Sequence, residues 1–189
     1  MLKVITGSMF SGKTNELINH LERAEIAGKN VIMFKPVVDD RWEGDKIISR
    51  TGREFECVVI SDVSEVFNYI DDIDVIAFDE IQFFDMDLVR VANNLTDSGY
   101  DVVTSGLDTD FRRGVFEVTA NLMAIAEEVV KLRAVCVECG ELASKTLRMK
   151  GDKPAPLSDD IVQTGNEEYK AVCRDCWNKL YSKEKRESK

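Results

Sequence analysis

Residues 7–14, Gly7-Ser8-Met9-Phe10-Ser11-Gly12-Lys13-Thr14, match the pattern Gly, four residues, Gly-Lys-Ser/Thr at every fixed position. This is chemistry for holding phosphates. The glycines let the backbone turn so that successive N–H groups face anionic oxygens, and the start of a following helix adds positive dipole. Lys13 brings a point charge to the outer phosphates, and the Thr14 hydroxyl suits Mg2+. An acidic pair, Asp79-Glu80, follows the apolar run Val75-Ile76-Ala77-Phe78. Downstream of a phosphate loop, an aspartate at a strand end can hold Mg2+, directly or through water. The neighbouring glutamate can take a proton from an attacking hydroxyl or water.

A different chemistry lies near the C-terminus. Cys136-x-x-Cys139 and Cys173-x-x-Cys176, separated by residues 140–172, form a tetrahedral Zn2+ pattern. Four thiolates leave no open coordination position, so the zinc expected here is structural. The remaining cysteine, Cys57, sits in the apolar run Cys57-Val58-Val59-Ile60 and reads as a small buried hydrophobe. Asp39, Arg41, Asp108, Arg112 and Arg113 are further candidates in loops. An arginine near a transferred phosphoryl group would stabilise its spread charge, although such residues are more often simply on the surface. His20, the single histidine, falls off the apolar stripe of its helix and takes no role.

These residues need elements to position them. Leu2-Lys3-Val4-Ile5 reads as a strand leading into the loop, and Leu17, Ile18, Leu21 and Ala24 mark a helix leaving it. Gly28-Lys29-Asn30 stops that helix, and Val31-Ile32-Met33-Phe34 is the next buried strand. Residues 37–54 form a long polar stretch read as an ordered or ligand-ordered loop anchored by Trp42. A strand over Cys57–Ile60 follows, then a short helix capped by Asp62 or Ser64 that carries Val63, Val66, Phe67 and Ile70. Beyond Val75–Phe78, the pattern predicts a helix over 86–97 burying Leu88, Val89, Ala92 and Leu95, and a strand over 101–106. A helix near 117–127 with Leu122, Ile125 and Ala126 on one face and a strand over 129–135 complete the body. Apolar strands alternating with helices predict a mostly parallel sheet covered on both faces. The boundaries expected are 1–133 for an α/β nucleotide-binding domain and 134–189 for a zinc-pinned loop domain, with Ser182–Lys189 frayed.

The chain has 189 residues, enough for one substantial core and a small appended module. Its formal charge of −10 argues against a protein that coats nucleic acid, since that affinity rests on Lys and Arg meeting phosphates. No apolar run approaches the ~20 residues of a membrane span. With a strand and the phosphate loop at its start there is no room for a signal peptide, so a cytoplasmic location and no membrane partner are expected.

Taken in order, these segments resemble the zinc-containing type II thymidine kinases. The carriers are the loop 7–14 with its internal Met-Phe, Lys35-Pro36 followed by Asp39-Asp40-Arg41-Trp42, Asp79-Glu80-Ile81-Gln82-Phe83-Phe84 and Gly106-Leu107-Asp108-Thr109-Asp110-Phe111-Arg112. Leu132-Arg133-Ala134-Val135-Cys136, both cysteine pairs and Tyr169 complete the match over 1–177. The resemblance implies a RecA-like P-loop fold with a small zinc-binding lasso. It implies transfer of the γ-phosphoryl group of ATP to the 5′-hydroxyl of thymidine or deoxyuridine, in nucleotide salvage. Glu80 would be the general base. Gly7 to Thr14, Arg41 and Mg2+, with Asp39, Asp79 and Gln82, would handle the nucleotide. Met9, Phe83, Leu107, Phe111 and Tyr169 would line the thymine pocket. Arg148, Val162, Thr164 and Gly165 would belong to the lasso, which holds the base largely through its backbone. A homotetramer and feedback inhibition by dTTP are also implied.

Two other readings compete. A P-loop ATPase or recombinase-like module would use its zinc element to bind nucleic acid. The net charge and the acidic residues Asp152, Asp159, Asp160, Glu167 and Glu168 speak against it. A non-catalytic nucleotide sensor would not need Lys13, Thr14, Asp79 and Glu80 together.

Overall fold

In the computed structural model, the residues described are 1–37, 46–48, 54–161 and 168–187. Asp39, Arg41, Trp42, Val162, Thr164 and Gly165 lie outside them. The chain divides into two compact units: Met1–Thr6, Lys13–Leu107 and Phe116–Lys131 in one, and Gly7–Gly12, Asp108–Val115 and Leu132–Lys189 in the other.

The first unit is built on β1 (Leu2–Gly7), α1 (Lys13–Ile26), β2 (Val31–Pro36), β3 (Lys46–Ile48), β4 (Glu54–Glu56), β5 (Val58–Ile60), β6 (Val75–Phe78), α2 (Asp87–Asp97), β7 (Asp101–Gly106), α3 (Glu117–Ile125) and β8 (Glu128–Leu132). Among the described residues, the main sheet runs β5-β2-β6-β7-β1-β8. The pairs β1–β7, β6–β7, β2–β6 and β2–β5 are parallel. The mixed α/β class with a mostly parallel sheet is therefore the one expected. Strands buried on both faces lack polar alternation, which is why 31–34 and 75–78 are continuously apolar. On one face Leu88, Val91, Ala92 and Leu95 of α2 and Val118 and Leu122 of α3 pack with Phe34, Ile76, Phe78 and Val102 of the sheet. In α1, the buried residues are Leu17, Ile18 and Leu21.

Several boundaries differ from the sequence pattern. The stretch 37–54 is not all loop: β3 pairs antiparallel with β4. The element after Asp62 is a 3-10 helix, Val63–Asn68, so its repeat of three buries Val63 and Val66 and leaves Phe67 exposed. Asp62, not Ser64, is its cap, and Glu65 closes a capping box. In α2, Val91 takes the buried place expected of Val89, because 88, 91, 92 and 95 define the stripe. Ile125 is the last residue of α3 and is exposed, while Val118 and Thr119 are buried. His20 is partly buried, and burial holds its pKa below the usual value.

The second unit contains β9 (Ala134–Val135), β10 (Leu142–Ala143), β11 (Lys145–Lys150), β12 (Lys153–Pro154), β13 (Glu168–Val172) and α4 (Arg174–Glu187). The strand expected over 129–135 is thus two: β8 ends at Leu132, and β9 turns to pair with β10. The segment between the cysteine pairs is more than a pinned loop, because β12-β11-β13 form a sheet of their own. Leu147, Ala171, Val172, Trp177 and Tyr181 pack into a small core with Ala134 and Ala143. The Trp177 and Tyr181 rings lie 4.3 Å apart. The Tyr181 hydroxyl donates to Ala155 O at 3.0 Å, so α4 is tied to the sheet by a hydrogen bond as well as by apolar area. The helix α4 begins at Arg174, directly after Cys173, and is described to Glu187.

Candidate functional site

In a parallel sheet the ends of adjacent strands share one edge, and ligands collect there. Asp79 follows β6 directly, and Gly106 ends β7 next to it. Lys13 and Thr14 begin α1 at the same site: the Thr14 hydroxyl donates to Asp79 Oδ2 at 3.2 Å. The Glu80 N–H donates to Asp79 Oδ1 at 2.9 Å. Asp79 is almost fully buried, and burial pushes its carboxyl from 3.8 up to about 6, with the negative charge of Glu80 adding to the shift. The Glu80 N–H and the Lys13 charge act in the other direction. A buried carboxylate beside a second one is costly without a cation. A carboxylate and a hydroxyl are hard oxygen donors, which fits the Mg2+ expected at Thr14 and Asp79.

Glu80 has φ +52° and ψ +42°, the left-handed region, which is uncommon for a residue with a side chain. The backbone then enters a single 3-10 turn, Ile81–Phe83. Gln82, buried in that turn, donates its amide to Glu80 Oε2 and accepts the Leu107 N–H at Oε1, 2.9 Å. Gly106 makes this approach possible. A Cβ there would stand 2.6 Å from Gln82 Oε1 and 2.5 Å from Ile81 Cγ1.

The remaining phosphate-loop residues, Gly7 to Gly12, belong to the second unit. Gly7 has φ +145°, and a Cβ on it would lie 2.4 Å from Leu132 O, so only glycine fits. The Ser11 hydroxyl closes the loop on Ser8 O at 2.8 Å, Ser8 is buried, and Phe10 is exposed. The Met9 N–H donates to Thr146 Oγ1 at 3.1 Å. Thr146 and Arg148 share a face of β11, opposite Ala171 and Tyr169 of β13. Phe111 is buried, with the Arg148 guanidinium 5.1 Å from its ring centre and Trp177 Nε1 donating to its carbonyl at 3.2 Å. The second unit therefore gathers Met9, Phe111, Arg148 and Tyr169, while Phe83 and Leu107 belong to the first.

Arg148 is fully buried. It donates from Nη1 to Asp160 O at 2.7 Å and faces Asp159 at 4.0 Å, so it fastens the segment 159–160. Asp110 organises the loop that follows it, accepting Gly114 N–H at 2.6 Å and Arg112 Nε at 3.0 Å. Arg113 stacks over Trp177 at 3.9 Å, which makes it a packing residue in this unit.

Among the described residues, Cys136, Cys139, Cys173 and Cys176 bring their sulfurs within 4.8 Å of one another. The Cys139–Cys173 separation of 3.8 Å equals the edge of a tetrahedron with Zn–S bonds of about 2.3 Å. Contact with Cys173 and burial push the Cys176 thiol up to about 12, whereas, against the effect of its burial, backbone N–H groups bring Cys136 down to about 7. The donor set fits zinc.

A family model described as thymidine kinase matches residues 1–177. The chain belongs to the thymidine kinase family. Membership carries kinase chemistry directed at a nucleoside. No helix among the described residues is long and apolar enough to cross a membrane.

Two features escaped the sequence reading. Thr146 meets the phosphate loop from far along the chain, with no local motif to mark it. Gln82, expected at the nucleotide, also bridges Glu80 and the Leu107 N–H, a contact that no local spacing marks.

Proposed function

We propose that the protein transfers the γ-phosphoryl group of ATP to the 5′-hydroxyl of thymidine, and of deoxyuridine, giving dTMP from thymidine in pyrimidine deoxynucleotide salvage. The observation that carries this reading is the Thr14–Asp79 hydrogen bond with Glu80 beside it, in a chain of the thymidine kinase family.

In this reading the loop 7–12 offers backbone N–H groups to the phosphates and Lys13 neutralises their outer oxygens. Thr14 and Asp79 would hold Mg2+, which when bound offsets charge on the bridging phosphate oxygens. Glu80 accepts the proton of the 5′-hydroxyl as it attacks. Arg41 stabilises charge on the transferred group, and Asp39 assists at the nucleotide. Phe83, Leu107, Met9, Phe111 and Tyr169 favour a flat apolar base. Arg148 holds the segment leading to Val162, Thr164 and Gly165, whose backbone groups read the base edge. Zn2+ holds the lasso domain, taken as 134–189, onto its cysteines, with 1–133 as the nucleotide-binding domain. The same reading includes a cytoplasmic homotetramer inhibited by dTTP.

The test is phosphorylation by ATP of the four natural deoxynucleosides and deoxyuridine. Turnover confined to thymidine and deoxyuridine supports the proposal. DNA-stimulated ATP hydrolysis without a phosphorylated nucleoside overturns it.

A further inference from the structure

The carboxylate of Glu80 stands on an uncommon backbone at the start of a one-turn helix. A glutamate has three side-chain torsions, and a general base must stay within hydrogen-bond reach of the proton it takes. Among the described residues, Gln82, two residues on and buried, donates to this carboxylate.

The orientation of the Gln82 amide follows from its partners. The Leu107 N–H can only donate, so the Gln82 atom facing it must be the oxygen. The atom facing Glu80 is then the NH2 group, and the Glu80 carboxylate accepts from it. One end of the amide is anchored to the main chain just after β7, and the other holds the carboxylate. Gly106 leaves room for this bridge and for nothing larger. Asparagine is one methylene short of spanning it, and glutamate would set a second carboxylate against Glu80.

We propose that Gln82 is a positioning residue for phosphoryl transfer, holding the Glu80 carboxylate in its reactive orientation by bridging it to the Leu107 N–H. The proposal rests on Glu80 as the general base. It gives Gln82 a role other than the nucleotide contact the sequence suggests. Gln82 itself is buried, which limits competition from water for its amide.

The experiment compares wild type, Glu80→Gln, Gln82→Met, Gln82→Glu and the double variant Glu80→Gln/Gln82→Met, with ATP and thymidine as substrates. Gln82→Met keeps the length and loses both hydrogen bonds. Gln82→Glu keeps an acceptor for Leu107 and loses the donor to Glu80. Either single change at 82 is expected to lower kcat about 10–100-fold, the scale set by misplacing a reacting group, with both KM values within about 3-fold of wild type. In the Glu80→Gln background, Gln82→Met should change kcat by less than about 3-fold, because two residues acting as a unit are not additive. Should Gln82→Met fail to fold, Gln82→Glu carries the comparison. A kcat unchanged by both substitutions at 82 overturns the proposal. So does a rise in KM for ATP at constant kcat, which would make Gln82 a nucleotide contact, or a full additional loss in the double variant. Near-normal turnover by Glu80→Gln alone overturns the base assignment itself, whatever the variants at 82 do.

Discussion

The Thr14 hydroxyl donates to Asp79 Oδ2 at 3.2 Å, joining the first turn of α1 to the end of β6. The two residues are far apart in the chain and form a pair of oxygen donors at the sheet edge. The carboxylate in that pair is buried beside Glu80, and this has a consequence for stability.

A carboxyl whose folded pKa lies above its unfolded value destabilises the fold when it ionises. For Asp79, raised from 3.8 to about 6, the cost is absent below about pH 4 and fully present above about pH 6. The ceiling is about 3 kcal/mol, and relaxation around the site should leave about 1–2 kcal/mol. With zinc left bound and no Mg2+ added, Asp79→Asn should therefore flatten the decline of thermal midpoint between pH 4 and 6 and raise the midpoint at pH 8 by a few degrees. It should abolish kinase activity. Scanning calorimetry across that range decides the matter: a lower midpoint for Asp79→Asn at pH 8 would show that the carboxylate stabilises the Mg2+-free fold.

Gly106→Ala places a methyl group 2.6 Å from Gln82 Oε1 and 2.5 Å from Ile81 Cγ1. Both neighbours lie in the short turn after Glu80, so the turn must shift. Overpacking of this kind costs about 1–3 kcal/mol. Urea unfolding should show that loss, and kcat should fall with little change in KM. Wild-type kcat in Gly106→Ala would mean the turn moves without disturbing the chemistry.

How far the sequence reaches can be seen at these same residues. The strand-loop-helix around Gly7, Gly12, Lys13 and Thr14 and the strand end at Asp79 and Glu80 were legible because each element depends on local spacing. The cysteines were legible because metal geometry imposes short pair spacings. The partners Thr146 and Leu107 were not, since folding brings them in from distant segments. The 3-10 form of Val63–Asn68 and the split of 129–135 into β8 and β9 were missed for a related reason. Apolar periodicity over a few residues does not distinguish a repeat of three from 3.6, or one strand from two.

The cysteine cluster gives a prediction about folding. The second unit has only a small core, in which Trp177 and Tyr181 pack against Ala134, Ala143 and Leu147. Cys176 precedes Trp177 directly, so metal ligation and core packing are coupled. Purified protein should contain about one zinc per chain, as a closed four-thiolate site requires. Chelation, or Cys139→Ser, should lower the thermal midpoint and activity together, and restoring zinc to the chelated wild type should recover both. A chelated protein with unchanged midpoint and activity would remove the structural role.

Thr146 links the phosphate loop to β11 through one hydrogen bond, from Met9 N–H to Oγ1 at 3.1 Å. Valine has nearly the same shape and no acceptor, so Thr146→Val isolates that bond. The loss should cost about 1–2 kcal/mol, because the Met9 N–H is left without its acceptor. Met9 is among the residues proposed to hold the base, and it does not act on a proton or the transferred group. The effect should therefore fall on binding: KM for thymidine is expected to rise about 3–10-fold, with kcat within about 2-fold of wild type. Thr146→Ser, which retains the hydroxyl, should restore most of the affinity. Initial-rate kinetics on the two variants separates the cases. Equal KM in Thr146→Val and wild type would mean that the loop keeps its shape without this contact, and a fall in kcat alone would place Met9 closer to the chemistry than the base pocket.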